Sequence, residues 1–272
     1  MNPKNILSNF HTHSTFCDGN NTPEEIVLKA IEKGFASIGF SGHGYTPYGL
    51  DYCMQDTAGY ISEINSLKGK YKNEIQIYLG TEEDATYLVD RRPLDYLIGS
   101  YHCVYANGEY LSIDANYDGF KKCLEAFNYD CKALAENYYT TFCSYIKSRK
   151  PDIIGHFDLI TKFDEMNIPE YFRSAEYDAL AEKHLIEAAK TGCIFEVNTG
   201  TLSRGVRSSV YPRENLLRLL QKSDHPIILS SDSHSIDTLD FAFDETKQYL
   251  WEIGFRHAFT LFNGNFVKYD LK

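Results

Sequence analysis

The feature that most constrains this chain is a pair of histidines two residues apart, at the end of its first apolar run. His11 and His13 follow the stretch Ile6–Phe10, whose composition predicts a β-strand. Side chains at positions i and i+2 of an extended segment point to the same side, so both imidazoles face one point. Two converging imidazoles form half of a metal site. A single His-x-His pair is weak evidence, so the other ligands have to come from elsewhere in the chain.

Later apolar runs repeat the arrangement, because most of the predicted strands are followed by side chains that can bind a metal ion. The predicted strands and these side chains are Ala36–Ser41 with His43, Ile75–Gly80 with Glu82, Leu94–Ser100 with His102, Asp152–Gly155 with His156, Cys193–Val197 with Asn198, and Pro226–Ser230 with Asp232 and His234. A terminal strand is predicted over Gly254–Phe262.

Helical segments separate these strands. Thr22 is a candidate N-cap, Pro23 fits the first helical position, Glu25 completes a capping box, and Gly34 ends the helix. Further helices are predicted at Thr57–Lys70, Phe120–Lys147 and Ser174–Thr191, from Pro212 onward, and at about Asp237–Ile253. The segment Cys103–Lys150 is less regular. It is either an insertion over the mouth of the fold or a packing helix with a long lead-in loop.

The alternation of strand and helix predicts an α/β fold with parallel strands joined by right-handed crossovers. Potential ligands follow nearly every strand, and closure of the sheet into a barrel would bring all of those carboxyl ends together. We detect no linker in the sequence, so a single domain is expected over residues 1–272.

Composition excludes some classes of function. The net charge of −11 argues against nucleic acid as the main partner, which would require a basic surface. The seven cysteines form no C-x-x-C pair, so neither a disulfide framework nor a structural zinc knuckle is indicated. Met1–Leu7 lacks the apolar core of a signal peptide, and the chain contains no run of eighteen apolar residues. A cytoplasmic location without a membrane partner is therefore expected.

Nine side chains are candidate metal ligands, six of them histidines at strand ends. They are His11, His13, Asp18, His43, Glu82, His102, His156, Asp232 and His234. A zinc site uses about four protein ligands or fewer, so nine imply more than one metal, with Glu82 or Asp232 as the bridging carboxylate. Two alternatives stay open: Asp18 is also a plausible turn residue before Gly19, and Glu83 competes with Glu82. The remaining histidines, at 184, 225 and 257, are expected to be structural.

These segments together resemble the polymerase and histidinol phosphatase (PHP) family. The resemblance extends in the right order over about residues 9–235, and its motifs are His11-x-His13 with Asp18, Gly42-His43, Gly80-Thr81-Glu82, Ser100-Tyr101-His102, Gly155-His156-Phe157-Asp158, Glu196-Val197-Asn198 and Ser231-Asp232-Ser233-His234. It implies a distorted (β/α)7 barrel related to the TIM barrel, with a centre of three divalent metal ions at the carboxyl ends of the strands.

The resemblance also implies how the ligands are shared, and that Glu82, Asp232 and His234 take part in catalysis. The first metal would take His11, His13, Glu82 and Asp232, the second Glu82, His102 and His156, and the third Asp18, His43 and His234. Zinc, manganese and iron all suit mixed nitrogen and oxygen ligands.

Within the family the chain is most similar to the phosphatase branch that acts on L-histidinol phosphate in histidine biosynthesis. Asp18 and the stretch Gly155–Ile160 carry this similarity. Clustered cations would neutralise the phosphate and provide a metal-bound hydroxide as nucleophile. Arg204 and Arg207, on the loop after the sixth strand, are expected to bind the phosphate, although both could be solvated loop residues. Lys162 departs from the family pattern and is left without a role.

The expected partner is a small phosphomonoester, and the sequence does not predict an oligomeric state. Candidates for binding the amine and imidazole of the substrate are Glu83, Asp84, Tyr101, Tyr105 and Asp158. Two other classes of function remain open. One is a phosphoesterase of the same family acting on a nucleotide or phosphotyrosine, and the other is a non-catalytic binding module, which would be expected to have lost ligands.

Overall fold

The computed structural model of the protein describes residues 6–166 and 169–272, so most of the predicted N-terminal segment Met1–Leu7 lies outside the described residues. The strands are β1 (Ser8–Asn9), β2 (Ser37–Phe40), β3 (Gln76–Asp84), β4 (Tyr96–Ser100), β5 (Cys103–Ala106), β6 (Glu109–Ser112), β7 (Ile153–Ile154), β8 (Ile194–Asn198), β9 (Ile227–Ser230), β10 (His257–Phe262) and β11 (Asn265–Asp270). The helices are α1 (Pro23–Glu32), α2 (Thr57–Lys70), α3 (Tyr117–Ala126), α4 (Cys131–Arg149), α5 (Ala175–Ala189), α6 (Gly200–Ser203), α7 (Glu214–Lys222) and α8 (Phe243–Ile253).

The first helix begins as the sequence predicts. The Thr22 Oγ1 atom accepts a hydrogen bond from the Glu25 backbone N–H, and the Glu25 carboxylate accepts one from the Thr22 N–H at 2.8 Å. Pro23 is the first helical residue, and Gly34 follows the helix end with a φ of +78°, a conformation that glycine adopts without strain. The predicted capping box is therefore confirmed.

Parallel strands dominate the main sheet, which confirms the predicted α/β class. Within the described ranges, its strand order is β1-β2-β3-β4-β7-β8-β9-β10-β11, and the antiparallel pairing in it joins β10 to β11. Strand pairing among the described residues does not close the sheet into a ring, since β1 and β11 are its two ends. The finer expectation of a (β/α)7 barrel stays a prediction.

The carboxyl ends of the first and ninth strands nevertheless lie side by side. The His13 N–H donates to the Ser233 carbonyl at 2.8 Å, and the Ser233 N–H donates to the His11 carbonyl at 3.0 Å. Further along, the Ser8 and Thr260 hydroxyls are 2.7 Å apart. The polar residues that follow β1 and β9 are therefore brought to one place.

The segment Cys103–Lys150 differs from its prediction in two ways. It starts with a hairpin, β5–β6, whose turn is Asn107-Gly108, with both residues at positive φ. The expected helix over Phe120–Lys147 is two helices, α3 and α4, interrupted where Asn128 and Tyr129 adopt positive φ. Asp130 then caps α4 by accepting a hydrogen bond from the Ala133 N–H.

Helices cover the sheet and bury two large apolar clusters. One packs α1 and α2 on β2 and β3 and includes Ile26, Ile38 and Ile64; the larger one packs α3, α4, α5 and α7 and includes Phe142 and Phe195. The last helix begins six residues later than predicted, because a 3-10 turn at Ile236–Thr238 precedes it. In the part of the chain that the structure describes, none of the helices has the length and apolar character needed to cross a bilayer.

Candidate metal centre

The two histidines after β1 lie at the base of a cluster of imidazoles and carboxylates. His11 and His13 are almost fully buried, and their ring centroids are 5.2 Å apart. The strand geometry therefore delivers both rings to one side, as the two-residue spacing requires. The His13 ring also stacks on the ring of His234, with centroids 4.0 Å apart, so histidines of the first and last predicted motifs meet.

Glu82, in β3, lies at the middle of the cluster. Its Oε1 atom is 2.9 Å from His156 Nε2 and 3.3 Å from His102 Nε2. Its Oε2 atom is 3.0 Å from His43 Nδ1 and 3.3 Å from His11 Nε2. One buried carboxylate thus faces four imidazoles from four different strand ends, which is the arrangement expected of a bridging ligand.

The neighbouring carboxylate, Glu83, points to a different environment. Arg149 donates to both of its oxygens at 2.8 Å, the Tyr145 hydroxyl donates to Oε1, and the Val89 N–H donates to Oε2. Successive residues of a strand face opposite sides of the sheet, so one of the two glutamates has to turn away from the cluster. The structure brings Glu82 to the cluster and uses Glu83 in a buried ion pair.

Asp232 closes another side of the cluster. Its Oδ1 atom lies 3.3 Å from His13 Nε2 and 3.6 Å from His11 Nε2, while its Oδ2 atom accepts from Arg204 at 2.9 Å. Asp232 adopts a φ of +48°, a left-handed conformation that aspartate tolerates better than most residues.

Asp18 connects the outer histidines, although its loop position also suited a turn residue. Its Oδ2 atom is 3.2 Å from His234 Nε2 and 3.7 Å from His43 Nε2, and its Oδ1 atom is 3.4 Å from His13 Nδ1. All nine predicted ligands are therefore brought together.

The donor atoms of this cluster fit a set of metal ions. Groups whose ligand atoms lie within 4.8 Å of one another are His13, Asp18, His43 and His234; His11, Glu82 and His156; His11, His13 and Asp232; and His43, Glu82 and His102. Among the described residues, the buried His11 Nε2, His13 Nε2 and Glu82 Oε2 atoms find no hydrogen-bond partner of acceptable geometry. Buried polar atoms without partners are costly, and divalent cations would satisfy them.

The charges of the cluster hold its carboxylates ionised. Burial alone would raise the pKa of Glu82, but His11, His102 and His43 lower it well below the usual glutamate value. Burial would lower the pKa of His11, but the carboxylates of Glu196, Glu82 and Asp232 raise it well above the usual value. The cluster thus keeps negative charge where cations would bind.

Two further carboxylates orient the imidazoles, a role that the sequence did not predict for either: Glu196 was noted only as part of a family motif, and Asp84 only as a candidate for binding the substrate. Glu196 Oε1 lies 2.6 Å from His11 Nδ1, and Glu196 Oε2 accepts from the His156 N–H at 2.8 Å. Asp84 Oδ2 lies 3.2 Å from His102 Nδ1 and accepts from the His102 N–H. The sequence does carry a signal for Asp84, because it lies two residues after Glu82 and shares its face of β3.

A cavity of about 320 Å³ opens onto the cluster. Glu82, His102, His156, Asp232 and His234 contribute to its wall, whereas His11 and His13 lie behind it. The other polar side chains of the wall include Asp51, Tyr52, Ser112, Asp114, Lys162 and Arg204. The hairpin segment supplies Ser112 and Asp114, so this part of the Cys103–Lys150 segment does border the site.

The two predicted phosphate-binding arginines have different positions. Arg204 lines the cavity beside Asp232. Arg207 is absent from the wall: its guanidinium is buried, donates to the hydroxyls of Thr161 and Ser209, and lies over the ring of Tyr211. These contacts give Arg207 a structural position and leave Arg204 as the arginine that can reach a ligand.

The remaining candidates for binding the amine and imidazole of the substrate make contacts within the protein, away from the cavity. Asp158 accepts from the Arg213 N–H, Tyr101 is buried against Tyr138, and Tyr105 packs on the ring of Tyr110 at the surface. Of the candidates named from the sequence for the amine and imidazole of the substrate, none lines the cavity.

The other three histidines lie outside the cluster, as expected, whereas one thiol borders it, since Cys17 Sγ lies 3.6 Å from His13 Nδ1. His184 packs against Tyr139, His225 Nε2 lies 3.0 Å from the Cys193 carbonyl, and His257 pairs with Asp270. All seven cysteines are free thiols.

Comparison with known proteins identifies the family. The family model described as PHP domain matches residues 9–200. Histidinol-phosphatases of Bacillus subtilis and Lactococcus lactis are 27% and 24% identical to this chain, over 86% and 94% of its length and 96% and 94% of theirs. The fold also resembles a crystal structure of histidinol phosphate phosphatase from Lactococcus lactis, complexed with zinc, L-histidinol and phosphate. That resemblance has a TM-score of 0.70 at 22% identity, covering 96% of this chain and 98% of that one. The chain belongs to the PHP family.

Proposed function

We propose that this protein is a metal-dependent phosphatase that hydrolyses L-histidinol phosphate to L-histidinol and phosphate. The observation that carries the proposal is the position of Glu82, whose two carboxylate oxygens face four imidazoles at the floor of a cavity. The names of the related enzymes in Bacillus subtilis and Lactococcus lactis support the choice of substrate.

The metal content is part of the proposal: three divalent ions, zinc, manganese or iron. The first would be held by His11, His13, Glu82 and Asp232, the second by Glu82, His102 and His156, and the third by Asp18, His43 and His234. The close approach of these donor atoms supports the assignment. When bound, such ions neutralise phosphoryl oxygens and lower the pKa of water.

The residues of the chain have distinct tasks in this proposal. Glu82 and Asp232 would supply the negative charge that offsets repulsion between neighbouring cations, and Glu196 orients His11. Arg204 is a cation of the cavity wall that donates hydrogen bonds to Asp232, and a planar guanidinium suits two phosphoryl oxygens at once. His234 is the most exposed imidazole of the set, with 27% of its side chain accessible, so it can contact a ligand directly.

We also propose that the sheet closes into a distorted (β/α)7 barrel and that residues 1–272 act as one domain. The hydrogen bonds between the segments after β1 and β9, through His13 and Ser233, support the closure. Convergence of strand ends on one cavity supports a single functional unit.

Substrate comparison tests the function. We expect L-histidinol phosphate to exceed AMP, phosphotyrosine and p-nitrophenyl phosphate by at least about tenfold in kcat/KM, which corresponds to about 1.4 kcal/mol of discrimination. Equal rates on these esters would reduce the proposal to a phosphoesterase of unassigned substrate. Activity on none of them, with the metals bound, would contradict it.

Metal analysis tests the centre separately. Protein reconstituted with zinc, manganese or iron should hold more than one equivalent by elemental analysis, and chelation should abolish hydrolysis. A fully active protein with at most one equivalent would contradict a centre of three ions.

A further inference from the structure

A second cavity lies at the opposite end of the sheet from the metal centre. Its volume is about 360 Å³, and it shares no lining residue with the cavity above the cluster. Ile227 and His257, the first residues of β9 and β10, line it, whereas Asp232 and His234 follow the other end of β9. Ligand sites usually begin at about 300 Å³, so the space suits a small molecule.

Two cationic side chains of this second cavity have no carboxylate partner in the part of the chain that the structure describes. Arg256 Nη1 donates to the Trp251 and Phe255 carbonyls at 3.0 and 2.9 Å, and the guanidinium lies over the Trp251 ring. Its Nε and Nη2 atoms, which lie side by side, remain available. Lys268 Nζ lies 5.8 Å from the centroid of the Phe259 ring. Both cations are exposed, so an external anion can reach them.

Strand pairing brings the lysine to an apolar part of the same wall. Lys268 of β11 is opposite Phe259 of β10, and side chains opposite each other in an antiparallel pair have Cβ atoms about 4.5–5.5 Å apart. Phe255 and Ile227, both buried, also line the cavity. The wall therefore combines exposed cations with an apolar surface.

The other titratable groups limit the charge of the wall. His225 Nε2 lies 3.0 Å from the Cys193 carbonyl, and burial lowers the pKa of this imidazole, so the ring is uncharged at neutral pH. His257 is paired with Asp270 at 2.9 Å. Asp224 is exposed and contributes one carboxylate. Arg256 and Lys268 outweigh it, and the wall keeps a positive balance in a chain that is acidic as a whole.

We propose that this second cavity binds a small organic acid or phosphate ester through its oxyanion group. Arg256 would donate from Nε and Nη2 to two oxygens, a geometry that carboxylates and phosphates share. Lys268 would add a point charge, and Phe255 and Phe259 would cover the apolar part of the ligand. The proposal goes beyond the phosphatase activity and does not depend on it, because the candidate metal ligands lie at the other end of the sheet.

The single tryptophan of the chain provides the test, because Trp251 lies against Arg256. Metal-loaded protein labelled with fluorotryptophan should give one fluorine NMR resonance, and this resonance should shift saturably on titration with succinate or with inorganic phosphate. The anion that binds more tightly identifies the class of ligand, carboxylate or phosphate. If neither anion produces a saturable shift, the inference is overturned.

Substitutions of the wall show whether its charges determine the binding. Arg256→Gln should weaken binding of the tighter anion by at least about tenfold, the effect of one hydrogen bond to a charged group. Lys268→Gln should weaken it about threefold, because exposed charges contribute less. Asp224→Asn should strengthen it about threefold, and asparagine tolerates the φ of +48° at this position.

The matched control is Lys272→Gln, since Lys272 Nζ lies over the same indole ring but the residue does not line the second cavity. This change should move the resonance of the free protein and leave the dissociation constant of the anion unchanged. Equal affinities in Lys268→Gln and the wild type, or weaker binding in Asp224→Asn, would overturn the inference. None of these measurements uses hydrolysis, so failure of the proposed phosphatase activity would be recognised separately.

Discussion

His11 Nδ1 lies 2.6 Å from Oε1 of Glu196, and both side chains are fully buried. The bond determines which ring nitrogen of His11 remains for the cluster, namely Nε2, the atom that lies 3.3 Å from Glu82. A carboxylate behind a histidine ligand fixes the tautomer and raises the basicity of the imidazole. Glu196 is therefore a positioning residue.

Replacing Glu196 by Gln should weaken metal binding by about ten- to a hundredfold, the usual effect of losing a carboxylate behind a histidine ligand. Competition with a metallochromic chelator measures the affinity. Glu187→Gln, at an exposed glutamate of α5 paired with Lys190, is the matched control. Equal affinities in Glu196→Gln and the wild type would refute the role of Glu196.

The adjacent glutamates should respond differently to the same change. Glu82→Gln should lose at least one metal equivalent and most of the turnover, since the amide cannot bridge two cations as a carboxylate does. Glu83→Gln should keep the metal content but lower the free energy of unfolding by about 1.5–3 kcal/mol, because the hydrogen bonds from Arg149 lose their charged acceptor. Elemental analysis measures the metal content, and urea unfolding measures the stability. Loss of metal in Glu83→Gln but not in Glu82→Gln would show that Glu83 is the metal ligand.

Substitutions of the two arginines should have different effects, although the sequence suggested the same role for both. Arg204→Ala should lower kcat/KM by about ten- to a hundredfold, since a charge-assisted contact contributes about 1.5–3 kcal/mol. Arg207→Ala should mainly reduce stability, because its guanidinium is buried and bonded to Thr161 and Ser209. Steady-state kinetics beside thermal melting distinguish the outcomes. If Arg207→Ala is as stable as the wild type but has a reduced kcat/KM, Arg207 binds the phosphate as the sequence suggested.

Acidification should destabilise the fold through a histidine outside the metal centre. Burial, with a smaller contribution from Lys183, lowers the pKa of His184 below its usual value. The folded state therefore disfavours the protonated ring, so the stability that His184 contributes is present above about pH 6.5 and is lost as pH falls through the folded pKa. The stability difference between the wild type and His184→Gln, from urea unfolding, should shrink between about pH 7.5 and pH 5. A difference that does not depend on pH would contradict this assignment.

Much of the fold was predictable because short-range rules determine it. The capping box at Thr22 and Glu25 correctly predicted the start of α1. Short apolar runs predicted the positions of the parallel strands. The two hairpins were missed, although Asn107-Gly108 and Asn263-Gly264 are both the Asn-Gly turn typical of hairpins, and all four residues have positive φ. The break between α3 and α4 could not be derived, because Asn128 and Tyr129 adopt positive φ without a glycine to signal it.

The site was predictable to the extent that strand geometry decides it. Strand alternation requires Glu82 and Glu83 to face opposite sides, but which side faces the cluster depends on the whole sheet. Arg204 and Arg207 share a loop, and three residues of irregular backbone can turn a side chain in any direction. Asp114 and Lys162 are 48 positions apart. Their contact depends on the folded chain, and no local sequence pattern predicts it.

The order of the potential ligands along the chain has a consequence for protein synthesis. The cluster combines side chains from near the start, at His11, with side chains from near the end, at Asp232 and His234, and the Ser8 and Thr260 hydroxyls are in contact. Contacts between such distant positions have to wait until the intervening chain has left the ribosome. The growing polypeptide would therefore carry His11 and His13 without the carboxylate that faces them until Asp232 has been synthesised. A chain that stalls before residue 232 would leave both imidazoles without that carboxylate.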